Sequence, residues 1–494
     1  MKEYIEKREE AWRPDLIERA QRCWNGMSGF RKERARCKRF TYGDQWGDEV
    51  PNLGGSQTEA QYLLAQGNMP LTNNLIRRLV RNVLGVFRNQ WTLPRCRPRD
   101  DAERKEADVM DCLLAYNIER NRLEELYART MEEFLISGLA VHRKYFGMEG
   151  GDSECLTDFV APERFFIDMG TQDFRALDIS IIGEVHDMEL PDLCAAFART
   201  EEECREMVAH YGNGNISGFC ASSHESGSEK RCRVIEIWNK EYAAGYIGDR
   251  WVMEERWRYY FLTPEGRVLA NGDTPYAHGS HPYAVKAYPF IDGEIHSFVS
   301  DIIDQQKFTN RLISMYDWIL RSSAKGVLLF PQESVPDGMN VADLAREWNR
   351  FNGIITYRSL DKENNKIGSP EQIHSNLSNL GITDLLNIQL KMMEDISGVN
   401  GALQGKLESN SMSGTLYSQQ TRNSLIALAD LLKTFNDFIG ECTAKDVSNI
   451  RQFYSPEKIA SIVGENPGLH DKDNFHDSCE DFSIEIREKT SDKT

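Results

Sequence analysis

The chain has 494 residues, 28% of them charged, with 59 Lys+Arg against 77 Asp+Glu for a net charge of −18. At 40% hydrophobic residues it can bury real cores, which excludes wholesale disorder, and its acidic sum excludes a protein that coats nucleic acid through bulk positive charge. The length implies more than one core; no run of 18 apolar residues is present to cross a membrane, and the first 20 residues lack the apolar stretch of a secretory signal.

The charge is unevenly spread. Residues 1–100 hold 19 Lys+Arg and 12 Asp+Glu, a net of +7, which leaves −25 for the remainder. Two basic stretches stand out, one with Arg34, Arg36 and Arg39, the other beginning with Arg77, Arg78 and Arg81. Such asymmetry marks either a surface for a polyanion or acidic partner, or solvated helix faces. The 11 cysteines are scattered, so reduced thiols are expected. Cys220, His224 and Cys232, and the pair His278 and His281, lack zinc-finger spacing, and no metal is expected.

In chain order, residues 3–40 read as helical, followed by a turn-rich interval from Thr41 to Pro70. Leu75, Ile76, Leu79, Val80, Val83, Leu84 and Phe87 then recur at spacings of three and four, the mark of one apolar helix face. A helix after Asp101 and another from Leu123 to Ser137 follow, the latter stopped by Gly138. The middle is rich in β-branched and aromatic residues and predicts strands at 139–145, 159–168, 179–187, 233–240, 250–262 and 283–291. A helix from Leu190 to about Tyr211 interrupts them, and Asn213–Lys230 reads as a loop. Short connections favour a mainly antiparallel sheet. The last 200 residues return to helices: 294–325, a small α/β insert at 327–375 with strands at 327–330 and 353–357 and a helix at 341–351, then 382–396 and 414–453. The fold class is α+β. Two helices flanking a small insert bury little between them, so their apolar faces require neighbours from other chains.

The chemistry of known catalysts is missing. Nothing matches G-x-x-x-x-G-K-[ST], G-x-G-x-x-G after a strand, H-E-x-x-H or G-x-S-x-G. The reading is a scaffold or binding machine rather than an enzyme, with no cofactor.

Three stretches carry a resemblance. The first is Phe40-Thr41-Tyr42-Gly43-Asp44-Gln45-Trp46 followed by Leu71-Thr72-Asn73-Asn74 and Val83-Leu84-Gly85. The second is Glu133-Phe134-Leu135-Ile136-Ser137-Gly138-Leu139-Ala140. The third is Tyr288-Pro289-Phe290-Ile291-Asp292-Gly293-Glu294, running into Asp304-Gln305-Gln306-Lys307-Phe308-Thr309-Asn310-Arg311. With Ser397-Gly398-Val399-Asn400, this ordered set resembles the portal proteins of tailed bacteriophages, most of all those of short-tailed phages, over about residues 30–455. The resemblance implies a ring, usually of twelve copies, at one capsid vertex of the virion, assembled in the host cytoplasm. Its implied partners are the terminase large subunit, the major capsid protein and scaffold, head-completion or tail adaptor proteins, and double-stranded DNA in the channel; no membrane is involved. Mapped here, 1–293 is the wing, 294–325 and 377–397 the stem helices, 326–376 the clip, 398–413 the tunnel loop, 414–434 a wing helix, and 435–494 a short crown and tail. The alternatives from other classes are a different head–tail adaptor or a DNA-processing enzyme.

A channel that lets DNA slide should not grip phosphates, because each Lys or Arg contact adds affinity. A lining of acids with isolated cations is therefore expected, with Asp301, Asp304, Asp384, Glu394, Asp395 and Glu408 as the acids and Lys391 and Lys406 as the cations. In the clip, Arg346, Trp348 and Arg350 have the composition of a docking surface. The basic cluster Arg34, Arg36, Arg39, Arg77, Arg78 and Arg81 is expected to face capsid protein, neighbouring subunits or DNA.

Overall fold

A computed structural model describes residues 12–464 together with 482–485, apart from 51–56, 99–103, 150, 169, 174, 213–230, 248–249, 289, 292, 324–326, 337, 350–353, 361–365, 374–380, 402 and 404–413. The fold is α+β, and every strand pair among the described residues is antiparallel. The chain divides into two compact units, residues 1–43, 74–303 and 394–494 in the first, 44–73 and 304–393 in the second. The second unit thus joins two separate stretches of the sequence, one before residue 74 and one after residue 303.

The first unit opens with α1 (Pro14–Gly26), which carries Pro14 in its first turn, and α2 (Ser28–Tyr42), closed by Gly43 at φ +104°. Helix α3 (Glu59–Ala65) belongs to the second unit, within the interval read as turn-rich. Helix α4 (Leu75–Gln90) begins where the Asn74 side chain accepts from the Arg77 N–H and buries Ile76, Leu79, Val80, Val83 and Phe87. Those five side chains gain roughly 7–15 kcal/mol on burial, which makes the packing face the main contribution of this helix to the core. Strand β1 (Arg95–Pro98) and helices α5 (Arg104–Arg120) and α6 (Leu123–Ser137) follow.

The strands form two main sheets. The smaller has the order β3-β2-β9, from β2 (Leu139–Glu149), β3 (Asp152–Phe159) and β9 (Tyr283–Ala287). The larger is β4-β5-β6-β7-β8, from β4 (Phe165–Ile167), β5 (Ile181–Met188), β6 (Cys232–Ile247), β7 (Arg250–Leu262) and β8 (Val268–Asp273). The helix expected over 190–211 is two, α7 (Leu190–Phe197) and α8 (Glu201–Gly212), and a two-residue hairpin pair, β10 (Phe290–Ile291) and β11 (Glu294–Ile295), precedes the long helices. The larger core joins the five-stranded sheet with α1, α7 and α8.

The helix expected over 414–453 is also two, α12 (Gly414–Ala427) and α13 (Ala429–Phe453), separated at Leu428. Helix α13 packs on β2 and β9, with Phe435, Phe438, Ile439 and Cys442 buried. It carries a buried ion pair, Asp446 to Lys144 of β2 at 2.6 Å. Helix α14 (Pro456–Val463) follows, capped by the Ser455 side chain, and β14 (Phe482–Glu485) pairs with β1.

The second unit contains most of α9 (Ile303–Ser323) and α11 (Ile382–Ser397), with the insert between them. The insert has β12 (Val327–Leu329), α10 (Val341–Asn349) and β13 (Glu371–Ile373). The strand expected at 353–357 is absent: the described residues 354–357 are irregular, and β12 pairs instead with β13.

Candidate functional site on the two long helices

The residues that made the sequence recognisable meet in space. In the second unit the polar middle of α9 receives residues 44–73. Asn310 donates to the buried Gln45 side-chain Oε1 at 2.6 Å, and its own side-chain oxygen accepts from the Asn73 N–H at 3.1 Å and from the Gln306 side-chain amide at 2.9 Å. Gln306 also donates to the Asn73 carbonyl at 2.7 Å, and Ser314 accepts from the Leu71 N–H at 3.0 Å. Gln306, Thr309 and Asn310 are at most 1% exposed. Around this amide clamp Lys307 lies 2.9 Å from both Asp48 and Glu59, and Arg311 lies 2.7 Å from Glu59. The Trp46 indole N–H donates to Thr72 at 3.1 Å.

The other recognisable residues pair in the first unit. Gly138 sits at φ +77°, and a Cβ there would lie 2.7 Å from Ile295 and 2.9 Å from the Tyr288 carbonyl, so only glycine fits. Its own carbonyl accepts from the Tyr288 N–H at 2.8 Å, and Val299 N–H donates to the Leu135 carbonyl at 3.1 Å. Asn400 donates to the Gln420 carbonyl at 3.0 Å, and Gly398 lies against Ala427.

The expected channel residues fall as follows. Asp301 is exposed in a short 3₁₀ turn before α9, its carboxyl raised by partial burial against an opposing pull from His296. Asp304, in the first turn of α9, is exposed. On α11 Asp384, Lys391 and Asp395 are all exposed, and their spacing of seven and four puts them on one stripe about 16 Å long. Glu394 is half-buried and off that stripe. Lys406 and Glu408 lie outside the described residues.

In the clip, Arg346 is exposed and 2.9 Å from Asp343, and Trp348 is half-buried; Arg350 lies outside the described residues. The basic cluster divides. Arg34 is 6% exposed, bidentate to Glu133 at 2.6 and 3.1 Å and 2.8 Å from Glu163. Arg77 pairs with Glu132 and stacks over Tyr42. Arg36 is 3.6 Å from Glu33 and lies over Phe40, and Arg39 is half-buried. Arg78 and Arg81 are exposed. Arg34 is thus buried in an ion pair and Arg77 half-buried in one, which their sequence neighbourhood did not reveal.

One carboxylate–histidine group sits between the two sheets: Glu184 and His186 of β5 and Glu236 of β6. Arg143 of β2 supplies its cation, 3.1 Å from Glu236 and 3.9 Å from Glu184. Burial opposes ionisation of Glu236, but the hydrogen bond from His186 at 2.8 Å and the Arg143 charge prevail and bring it down to about 2. No helix among the described residues is long and apolar enough to cross a membrane.

Comparison with known proteins agrees with the clustered motifs. The portal protein of Helicobacter pylori bacteriophage KHP30 is 22% identical over 439 residues, 88% of this chain and 66% of that protein, so the chain spans just under two thirds of that relative's length. The family model of phage P22-like portal proteins matches residues 17–469. That span takes in the amide clamp, the Gly138 turn and both long helices, and the chain belongs to the phage P22-like portal protein family.

Proposed function

We propose that this chain is the subunit of a ring, twelve copies by the resemblance, that stands at one capsid vertex of the virion. DNA enters through it under the terminase motor and leaves through it at ejection. Major capsid protein and scaffold would surround it, and the clip, with Arg346, Trp348 and Arg350, would dock first the terminase large subunit and then head-completion or tail adaptor proteins. The chain itself catalyses nothing; ATP hydrolysis belongs to the motor. In this reading α9 and α11 are the stem, 326–376 the clip, 398–413 the tunnel loop, 1–293 and 414–434 the wing, and the residues from 435 the crown.

The observation that carries the proposal is an open apolar seam on each long helix. On α9 Phe308, Met315 and Trp318 are 42%, 43% and 48% exposed, at spacings of seven and three. On α11 Leu385, Ile388 and Met392 are 43%, 47% and 45% exposed, at spacings of three and four. Those are coiled-coil spacings, which a straight solvated helix does not need. Six large side chains about half in water forgo roughly 4–9 kcal/mol of burial per chain, which neighbouring copies would recover. The stripe of Asp384, Lys391 and Asp395 beside that seam fits a lining that repels phosphate overall and offers single cations in passing. Negative-stain microscopy of the purified chain tests the proposal. Rings with a central channel are expected; monodisperse monomers across a range of salt would overturn it.

A further inference from the structure

Helices α7 and α8 form a hairpin that covers the five-stranded sheet. Leu193 and Phe197 of α7 and Met207 and Tyr211 of α8 are buried in the larger core. The Phe197 ring lies 5.2 Å from that of Phe261 on β7, and the Tyr211 hydroxyl donates to the Arg233 carbonyl of β6 at 2.8 Å. At 8 and 12 residues, both helices are too short to be stable alone in water. The cover is therefore only as firm as the contacts the two helices make with each other and with the sheet.

Those contacts bring two thiols together. The Cys194 thiol of α7 donates to the Cys204 backbone carbonyl of α8 at 3.9 Å. Burial, and after it a hydrogen bond with the Cys204 thiol, push Cys194 up to about 11. Both cysteines are free and half-buried, so they are partly open to solvent, as reaction with a small reagent requires. Cys232 of β6 also adds its charge to the surroundings of Cys194, but it is 3% exposed, on the core side.

We infer that Cys194 and Cys204 are a redox modification site, a dithiol that a low-molecular-weight disulfide converts into a bridge between α7 and α8. The thiolate of one cysteine attacks the S–S bond of the reagent, forming a mixed disulfide and releasing one thiol. The thiolate of the other then attacks the protein sulfur of that mixed disulfide, and the second reagent thiol leaves. Two electrons and two protons pass to the reagent, which ends as two thiols. A thiol as weakly acidic as Cys194 is a poor leaving group, so the closed bridge resists reduction. The bridge restricts the opened states of the hairpin and so holds the cover on the sheet. Such a pair suits a protein made among reducing thiols and carried afterwards into oxidising surroundings, a timing that rests on the virion reading above; the pair itself does not.

The test incubates the full chain, purified reduced, with oxidised glutathione. Trypsin cuts at Arg199, between the two cysteines, so the bridge joins the peptides 176–199 and 200–205, each of which holds one cysteine. That joined pair is expected as the main disulfide product and should vanish with dithiothreitol. Hydrogen exchange across α7 and α8 should slow at least about fivefold in the bridged form. Cys204→Ser should abolish both effects, and Cys112→Ser, at an exposed thiol on α5, should abolish neither. Glutathione adducts on Cys194 or Cys204 with no joined pair, or a Cys194–Cys232 bridge in its place, overturn the assignment. A joined pair with unchanged exchange overturns the bridge as a fastener of the hairpin. Rings seen by microscopy whose chains give no joined pair overturn this site and leave the ring reading intact; a joined pair in a chain that forms no rings supports the site and counts against the ring reading.

Discussion

Replacing Asn310 with alanine should unfasten residues 44–73 from α9. The side chain makes three hydrogen bonds: to Gln45 at 2.6 Å, from the Asn73 N–H at 3.1 Å and from Gln306 at 2.9 Å. Both Gln45 and Gln306 are at most 1% exposed, so water does not simply take the place of the lost amide. Each lost bond with a buried partner costs about 1–2 kcal/mol, for a total of about 3–5 kcal/mol. The salt bridges of Lys307 and Arg311 to Asp48 and Glu59 remain and should keep the segment loosely attached. The assay is hydrogen exchange on peptides covering residues 71–74, whose Leu71 and Asn73 amides are bound to Ser314 and Asn310. A local loss of 3 kcal/mol accelerates exchange about 150-fold, since each 1.4 kcal/mol is tenfold. Exchange within threefold of the parent protein, with the urea midpoint unmoved, would refute the reasoning that the recognisable motif acts as a clamp.

The other predictions concern the first unit and the stem. Burial depresses His142, His278 and His281, His278 to about 3, with Lys144 or Lys445 nearby adding to the effect. A depressed histidine contributes stability above its unfolded value near 6.5 and loses it as pH falls. His278→Asn should therefore flatten the decline of the melting temperature between pH 7 and 5.5, removing about 1.4 kcal/mol per pH unit at the lower end; an unchanged slope counts against this. Gly138→Ala should cost about 3 kcal/mol in chemical denaturation, from its positive φ and the backbone it would strike. Gly85→Ala, with nothing within 4 Å, should instead add about 0.5–1 kcal/mol. Lys144→Met alone strands Asp446 in the core and should cost about 3–5 kcal/mol, whereas Lys144→Met with Asp446→Leu should cost far less; equal costs would show that the pair is not coupled. Under the proposed channel function, Asp384→Lys with Asp395→Lys turns the α11 stripe wholly cationic and should slow DNA packaging in vitro more at low salt than at high salt. A packaging rate unchanged at both would remove that stripe from the channel.

Local periodicity was enough to locate several elements. The apolar spacing of α4, the glycine that ends α6 and the β-rich middle all follow from chemistry within one or two turns. So do the apolar faces of the long helices, because a stripe of apolar residues can be read without knowing what covers it. The break at Leu428 and the pairing of β12 with β13 were not legible. The first is a single residue at which the helical hydrogen bonds still run on, and the second depends on a strand of three residues more than forty positions away. The basic cluster teaches the same lesson: composition displays the sign of Arg34 and Arg78 equally, but Glu133 meets Arg34 across 99 residues of sequence and leaves Arg78 at the surface. Likewise the sequence placed Asn310 in a helix, and the tertiary structure identified its partner, Gln45, 265 residues earlier. Sequence alone determined the fold class and the family resemblance, because those rest on short-range patterns. Tertiary structure decided which charges are interior and which motif residues touch, because a buried charge or amide is specified by its partner and not by its own neighbourhood.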